Sequence, residues 1–169
     1  MKENAFIALT NGFKDKLFRL ARRLLVSNEE AEDATQEVLL KLWKNKLKIA
    51  EYKNVEAFAM TMTKNYCFDK LKAKHSDNLS IVHSNYKDEH ASLDRELEAK
   101  DSVAWVGKIM DGLPEQQRMI IQLRDIEQYN NAEIADMLEM NETAVRVALS
   151  RGRKIIRQEL LKKHNYGVV

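Results

Sequence analysis

The chain is almost free of residues that interrupt helices, with 5 Gly and 1 Pro among its 169 residues. Between them lie long runs of Ala, Leu, Glu, Lys, Arg, Met and Gln, which have high helix propensities. Hydrophobic residues make up 44% of the chain and charged residues 32%, as in globular proteins rather than disordered ones. The sequence therefore predicts an all-α protein with one ordinary domain or two small ones.

Apolar residues at steps of three and four predict a first helix over residues 4–25. Ser27 and Glu30 form a capping-box pattern that begins a second helix, with Trp43 near its end. Residues 44–54 have weak periodicity, so they are predicted to form a loop with a basic rim. The predicted inward residues of the second helix are Ala31, Ala34, Val38 and Leu42.

A third helix is predicted from residue 55 to about residue 74, which completes a small bundle. Residues 76–93 lose the helical period and gather His, Ser, Asn and Asp, so they are predicted to form a linker that is either flexible or held by a partner. The predicted domains are thus residues 1–75 and 94–169, with 76–93 between them. The predicted apolar stripe of the third helix is Val55, Phe58, Met62 and Tyr66.

In the second domain, Trp105 and Ile109 mark a helix that ends at Gly112, and Pro114 suits the first turn of the next helix. Residues 130–154, NNAEIADMLEMNETAVRVALSRGRK, have the spacing of a helix-turn-helix: a short helix, a turn and a longer helix. In such a unit the second helix lies in the major groove of DNA. A helical hairpin that binds another protein has the same pattern. The residues of this stretch favour DNA binding, but they do not exclude a protein-binding hairpin.

Two residues of this stretch are unusual for a helix-turn-helix. Glu139 stands in the turn, where many such units have Gly, and a non-Gly residue in the left-handed conformation costs about 1–2 kcal/mol. Gly152 stands within the predicted second helix, where it costs about 1 kcal/mol relative to Ala.

Two long stretches resemble known sequences. AEDATQEVLLKLWKNK (31–46) and NVEAFAMTMTKNYCFDKLKAK (54–74) resemble region 2 of bacterial RNA polymerase sigma factors, and residues 113–157 resemble their region 4. Both blocks stand in the right order with a short linker, so the chain resembles the extracytoplasmic-function (group IV) sigma factors. The resemblance implies a promoter-specificity subunit that binds core RNA polymerase and directs transcription initiation, and that is not itself an enzyme.

The resemblance also assigns roles to residues. An acidic helix is implied to dock on the β′ clamp helices of polymerase, and an acidic, partly aromatic face suits a basic partner. The third helix and the loop before it are implied to melt and read the −10 element. This function requires the protein to hold single-stranded DNA. The docking residues are Asp33, Gln36, Glu37, Lys41 and Trp43, and the −10 residues are Lys48, Tyr52, Lys53, Asn54, Lys64, Asn65 and Lys70.

The outward face of the second helix of the helix-turn-helix is implied to read the −35 element, where hydroxyl, guanidinium and methyl groups suit the major groove. Ala148 stands where family members often carry Arg, so one contact with DNA is expected to be missing. Tyr52 has a second interpretation, as a packed aromatic residue. The −35 residues are Glu142, Thr143, Arg146, Val147, Ser150, Arg151, Arg153 and Lys154.

The expected partners are core polymerase (β′ clamp helices and β flap), promoter DNA and an anti-sigma factor. The four His residues lack metal-ligand spacing, so no metal or cofactor is predicted. Cys67 is expected to be a small core residue. No signal peptide or membrane span is evident, which predicts a cytoplasmic protein. A stand-alone helix-turn-helix regulator and a helical adaptor that does not bind DNA remain as alternatives.

Overall fold

The computed structural model describes residues 1–80 and 102–166, in which all regular secondary structure is helical, as the sequence predicts. The predicted linker overlaps the end of a helix at 76–80, and the remainder lies outside the described residues. The N-terminal unit contains α1 (Glu3–Asn11), α2 (Lys14–Leu25), α3 (Asn28–Lys44), α4 (Lys46–Ile49) and α5 (Val55–Ser80). The C-terminal unit contains α6 (Ser102–Asp111), α7 (Glu115–Ile121), a π-helical turn (Gln122–Ile126), α8 (Asn131–Leu138) and α9 (Glu142–Tyr166).

The predicted first helix is in fact two helices, α1 and α2, which separate at Gly12 and Phe13. The backbone of Phe13 leaves the helical conformation at φ −138°, and the Thr10 hydroxyl donates to the Phe6 carbonyl oxygen over 3.0 Å. Phe6 on α1 meets Trp43 on α3 edge to face, with ring centroids 5.0 Å apart. The periodicity of the segment continues across the break, which is why a single helix was the wrong prediction.

The second helix begins where the sequence places it. The Ser27 hydroxyl accepts a hydrogen bond from the Glu30 backbone N–H over 3.3 Å, which satisfies one of the free donors at the start of α3. Helices α2, α3 and α5 pack around one core. All four predicted inward residues of α3 are buried: Ala31, Ala34, Val38 and Leu42.

The apolar stripe predicted for α5 is confirmed in part, because Val55, Met62 and Tyr66 are partly buried against the core. The most deeply buried residues of α5 are Ala59, Met60, Thr63 and Cys67, whereas the predicted Phe58 is 39% exposed. Three of these four buried side chains are small, and the large Phe58 was a misleading signal. Burial raises the pKa of the Cys67 thiol to about 12, which agrees with its expected role in the core.

The segment predicted to be a loop before α5 includes the short helix α4. Ile49 at its end is buried, so one apolar residue anchors this segment to the core of the N-terminal unit. The remaining residues before α5 are mostly polar or basic, and the apolar Leu47 among them is 74% exposed.

The C-terminal unit is built on α7 and α9, which cross closely. Met119, Ile120 and Leu123 are buried, as predicted. The Glu127 backbone N–H donates to the Gln122 carbonyl oxygen over 3.0 Å, five residues back, and closes the π-helical turn after α7. Such turns frequently occur at functional sites, and this one places Gln122 and Glu127 in the contact between the two units.

The two units are in contact. Helix α2 packs against α6, α7 and the π-helical turn, and α5 packs against α8. Among the helices of the described residues, none has the length and apolar composition needed to cross a membrane.

Candidate nucleic-acid interface

Helices α8 and α9 form the predicted helix-turn-helix, and hydrogen bonds fix both ends of its turn. Asn130 and Glu133 cap the start of α8 reciprocally, with each side chain 2.8 Å from the other's backbone N–H. The Asn141 side-chain oxygen accepts from the Ala144 N–H over 2.7 Å and caps α9. Glu139 between them has φ 52° and ψ 45°, the left-handed conformation expected from its position.

The inner face of the helix-turn-helix is apolar and tightly packed. Ile134 and Ala135 on α8 are buried, as are Val145 and Leu149 on α9. This packing holds α9 in one rotation about its axis and therefore decides which of its side chains face outward.

All eight predicted −35 residues lie on exposed positions of α9. Arg146 lies 3.5 Å from Glu142 one turn earlier, an exposed pair of small energetic value that leaves the guanidinium available to a partner. Arg153 makes a two-bond pair with Asp125, at 3.0 and 2.5 Å, and the side-chain hydrogen bond from this carboxylate raises its pKa. The Arg153 guanidinium is therefore bound within the chain in this structure.

A groove of about 600 Å³ runs beside α9 and is lined by cationic side chains. Sequence reasoning missed one of them, Arg124, because it follows α7 and is not part of the helix-turn-helix. Its guanidinium donates to the Tyr129 carbonyl oxygen over 3.3 Å. Only the crossing of α7 and α9 brings it beside the others: Arg146, Arg153, Lys154 and Arg157.

Ala148 is only 6% exposed and faces the neighbouring helices rather than the outward face of α9. The position at which the resemblance leads us to expect Arg is therefore largely buried in this chain. On this side of α9, a second groove of about 460 Å³ is lined by Gln116, Thr143, Val147 and Arg151, among others.

The predicted −10 residues that precede α5 are exposed: Lys48, Tyr52, Lys53 and Asn54. Tyr52 contacts Phe58 edge to face, with ring centroids 4.8 Å apart, and is 43% exposed. Its ring is thus packed on one side and open on the other. Asn54 caps α5, since its side-chain oxygen accepts from the Ala57 N–H over 2.9 Å.

The predicted −10 residues on α5 differ in their surroundings. Asn65 and Lys70 are exposed, and the Lys70 ammonium lies 5.7 Å from the Tyr66 ring centroid. The Lys64 ammonium instead donates to the Met137 carbonyl oxygen over 3.2 Å, at the end of α8 in the other unit.

Four predicted docking residues lie outside the buried face of α3: Asp33, Gln36 and Lys41 are exposed and Glu37 is partly exposed. The Glu37 carboxylate is 3.5 Å from the Lys41 ammonium. Trp43 lies two helical turns after Gln36 on α3. It is half-buried between Phe6 and the Lys46 ammonium, which lies 3.6 Å from its ring centroid, so its contacts are with the bundle itself.

Sequence reasoning also missed the charged residues between the two units. Arg19 on α2 binds both oxygens of Glu127, at 2.7 and 2.8 Å, and this contact raises the pKa of Arg19. Glu56 on α5 accepts hydrogen bonds from Lys16, over 2.6 Å, and from the Tyr129 hydroxyl. No local pattern distinguishes these side chains from an ordinary solvated helix face.

Two family models match separate parts of the chain. The model for "Sigma-70 region 2" matches residues 9–76, and that for "Sigma-70, region 4" matches residues 104–156. The chain is 24% identical over 181 aligned positions to the ECF RNA polymerase sigma factor SigW of Bacillus subtilis (strain 168). The alignment covers 94% of this chain and 90% of that protein.

Two solved structures share the fold across both units. The sigma factor RpoE from Bartonella quintana, in complex with the anti-sigma factor NepR, has a TM-score of 0.74 at 19% identity, covering 94% of this chain and 97% of RpoE. CnrH, in complex with the cytosolic domain of CnrY, has a TM-score of 0.65 at 18% identity, covering 94% and 89% of the two chains.

Proposed function

Since the chain belongs to the sigma-70 family of RNA polymerase subunits, in its extracytoplasmic-function group, we propose that it recognises promoters through the two surfaces described above. As a sigma subunit it directs transcription initiation, which requires binding both core polymerase and promoter DNA. A stand-alone helix-turn-helix regulator has no need of region 2, so the match over residues 9–76 favours the sigma subunit.

The outward face of α9 reads the −35 element in this proposal. The observation that carries it is the helix-turn-helix itself, in which the Glu139 turn and the Asn141 cap hold an exposed row of hydroxyl, guanidinium and methyl groups. Thr143, Arg146, Val147 and Ser150 suit base edges, while the cations of the adjacent groove suit phosphates and fix the register.

The segment before α5 and the exposed face of α5 capture the −10 strand. The cations of this segment and of α5 attract the backbone of single-stranded DNA. The open side of the Tyr52 ring offers a surface on which an unstacked base stacks. The acidic face of α3 docks on polymerase, and Glu37 and Asp33 are its central charges. Trp43 packs on Phe6 with one part of its ring, and its remaining exposed part belongs to the docking surface in this proposal.

The chain has no catalytic role in this proposal, because the polymerase carries out phosphoryl transfer. We propose that the chain acts in the cytoplasm, where the promoter is. We also propose an anti-sigma protein as a partner, because the similar RpoE is bound to one. When the chain is purified from its native cells, we expect a second protein to co-purify with it. That protein should suppress transcription when it is added to the chain and core polymerase.

Run-off transcription with purified core polymerase on a library of genomic fragments tests the proposal. We expect discrete start sites that appear only when the chain is added, with common sequences near −10 and −35. A polymerase whose start sites are the same with and without the chain contradicts the proposal. Lys162→Ala, at an exposed position late on α9, is the matched control for variants of the −35 face.

A further inference from the structure

We propose that Asp125 sets how strongly the −35 face binds DNA, because its carboxylate competes with DNA phosphates for the guanidinium of Arg153. Asp125 lies in the π-helical turn after α7 and is not part of the helix-turn-helix. It is therefore a positioning residue, which acts on DNA binding through Arg153. This inference rests on the proposed function and describes what determines the affinity of the −35 surface.

Arg153 belongs to the row of side chains that faces the groove beside α9. Arg146, Ser150, Arg153 and Arg157 follow one another at steps of four, three and four residues, which places them on one face of the helix. All four line the groove of about 600 Å³. By its position, Arg153 is thus suited to bind a phosphate that enters this groove.

The Arg153 guanidinium is instead bound by Asp125. Its Nε and Nη2 atoms donate to the two carboxylate oxygens over 3.0 and 2.5 Å. A two-bond pair of this kind occupies one planar edge of the guanidinium, the same kind of edge that binds a phosphate. The carboxylate also neutralises the charge of Arg153, so the pair weakens the attraction for a phosphate in both ways.

Arg146, on the same face of α9, is paired much more weakly. Its guanidinium lies 3.5 Å from the Glu142 carboxylate, one turn earlier on the same helix, and 58% of its side chain is exposed. The Arg153 side chain is 47% exposed and makes two hydrogen bonds to a residue 28 positions away. Arg146 is therefore available to DNA, whereas Arg153 already has a partner.

The π-helical turn holds Asp125 in place. Gln122 and Leu123 of this turn are each 1% exposed, and the Tyr129 N–H donates to the Leu123 carbonyl oxygen over 3.0 Å. A carboxylate on an anchored turn loses little conformational entropy when it binds its partner. Asp125 is thus a preorganised acceptor, with which a DNA phosphate has to compete.

The surroundings of Arg153 are cationic. Arg124, Arg146, Lys154 and Arg157 line the same groove, and among the described residues of this lining none is acidic. Cations in one groove attract phosphates through their combined field. Asp125 offsets one of these charges, so its removal should leave the whole set to the DNA backbone.

The test combines variants of both partners in the full chain. Asp125→Asn removes the charge and keeps the shape, and it is made in the wild type and in Arg153→Ala. Asp125→Glu keeps a carboxylate. Asp136→Asn removes an exposed acid of α8 and is the matched control. Circular dichroism and thermal unfolding confirm that each variant is folded, which we expect because the pair is partly exposed.

Binding is measured by fluorescence anisotropy over a range of salt concentrations. The probes are the −35 duplex of the promoter found by run-off transcription and a short duplex of mixed sequence. We expect Asp125→Asn to bind both duplexes about fivefold tighter than the wild type, the largest factor usual for an exposed ion pair. The dependence on salt should steepen by about 0.9 in log–log slope, as for one more phosphate contact. Asp125→Glu should bind like the wild type.

The Arg153→Ala background separates competition for Arg153 from simple repulsion between Asp125 and DNA. In this background, Asp125→Asn should tighten binding by less than about twofold, because salt screens the repulsion that remains. Equal tightening in both backgrounds overturns the inference, and so does equal tightening by Asp136→Asn or by Asp125→Glu. Unchanged or weaker binding by Asp125→Asn overturns it as well.

Transcription with core polymerase distinguishes failure of this inference from failure of the proposed function. Absence of initiation with the wild type rejects the sigma function, and the duplex of mixed sequence still tests the competition for Arg153. Normal initiation with the wild type, without tighter duplex binding by Asp125→Asn, rejects the competition alone.

Discussion

Gly152 in the middle of α9 lies directly against Ile121 at the end of α7. A Cβ atom at position 152 would come within 2.5 Å of the Ile121 Cδ1 atom and within 3.4 Å of the Gln117 Cβ atom. Gly is disfavoured within helices by about 1 kcal/mol, so its presence here needs a cause. The cause is the close crossing of α7 and α9, which also brings Arg124 beside Arg146 and Arg153 of α9.

The first prediction concerns this contact. We expect Gly152→Ala to destabilise the protein by about 1–2 kcal/mol, because overpacking next to the buried Ile121 outweighs the better helix propensity of Ala. Denaturant unfolding measures the change. Ile121→Val removes the clashing Cδ1 atom, so Gly152→Ala should cost less in the Ile121→Val background than in the wild type. Equal costs in both backgrounds would reject the steric explanation.

Glu139 provides a second prediction, because it holds a left-handed conformation in the turn of the helix-turn-helix. We expect Glu139→Gly to stabilise the protein by up to about 1 kcal/mol, since relief of strain exceeds the added entropy of the unfolded chain. The control Asp136→Gly, in the right-handed helix α8, should destabilise it by about 1 kcal/mol. Thermal unfolding distinguishes the two, and a loss of stability in Glu139→Gly contradicts the prediction.

Arg146 carries the third prediction. If its guanidinium makes a two-bond contact with a base, Arg146→Ala should weaken binding by about 1–3 kcal/mol and relax the preference at one base pair of the −35 element. Transcription from a set of single-base promoter variants measures this preference. Lys162→Ala should leave the profile as it is. An unchanged profile for Arg146→Ala removes this residue from the −35 set.

The fourth prediction tests the docking face. Glu37→Lys reverses the charge of an α3 side chain whose partner within the chain is Lys41, 3.5 Å away. Exposed pairs of this kind contribute less than about 1 kcal/mol, so the fold should remain intact. We expect binding to core polymerase to be lost in co-purification. Glu32→Lys, on the same helix but outside the docking set, should bind normally; equal binding by both variants counts against this face.

The fifth prediction concerns acid stability. Burial raises the pKa of the Glu56 carboxyl, but hydrogen bonds from Lys16 and Tyr129 outweigh burial and lower it below the ordinary value of 4.5. A carboxyl with a lowered pKa stabilises the folded state above its unfolded pKa, and this stabilisation is lost as the pH falls through the folded pKa.

The free energy of unfolding should therefore fall below about pH 4.5, and less steeply in Glu56→Gln than in the wild type. Denaturant titrations between acidic and neutral pH measure the two slopes. Glu51→Gln, at an exposed position, is the control and should follow the wild type. Parallel slopes in all three proteins show that Glu56 does not carry this effect.

Local sequence signals were sufficient for much of the fold. The caps at Ser27 and Asn130, the buried face of α3 and the left-handed turn at Glu139 were all predicted, because each depends on residues within one or two helical turns. The helix-turn-helix and the resemblance to regions 2 and 4 rest on the same short-range patterns, and the family matches confirm that resemblance.

The break at Gly12, the exposure of Phe58 on α5 and the contact of Trp43 with Phe6 were not predicted. Each depends on a neighbouring helix: Phe6 of α1 meets Trp43 of α3, and the small face of α5 follows from how closely α2 and α3 approach it. Periodicity gives the spacing of a stripe, but it does not decide which of two adjacent stripes faces the core.

The sequence by itself determined most of the helices, their caps and the side chains on the outward face of α9, since local hydrogen bonding and side-chain spacing decide these. Only the tertiary structure decided that Arg19 meets Glu127, 108 residues away, and that Lys64 binds the end of α8. The physical reason is that a charged side chain on an amphipathic helix has the same local pattern whether its partner is water or another helix.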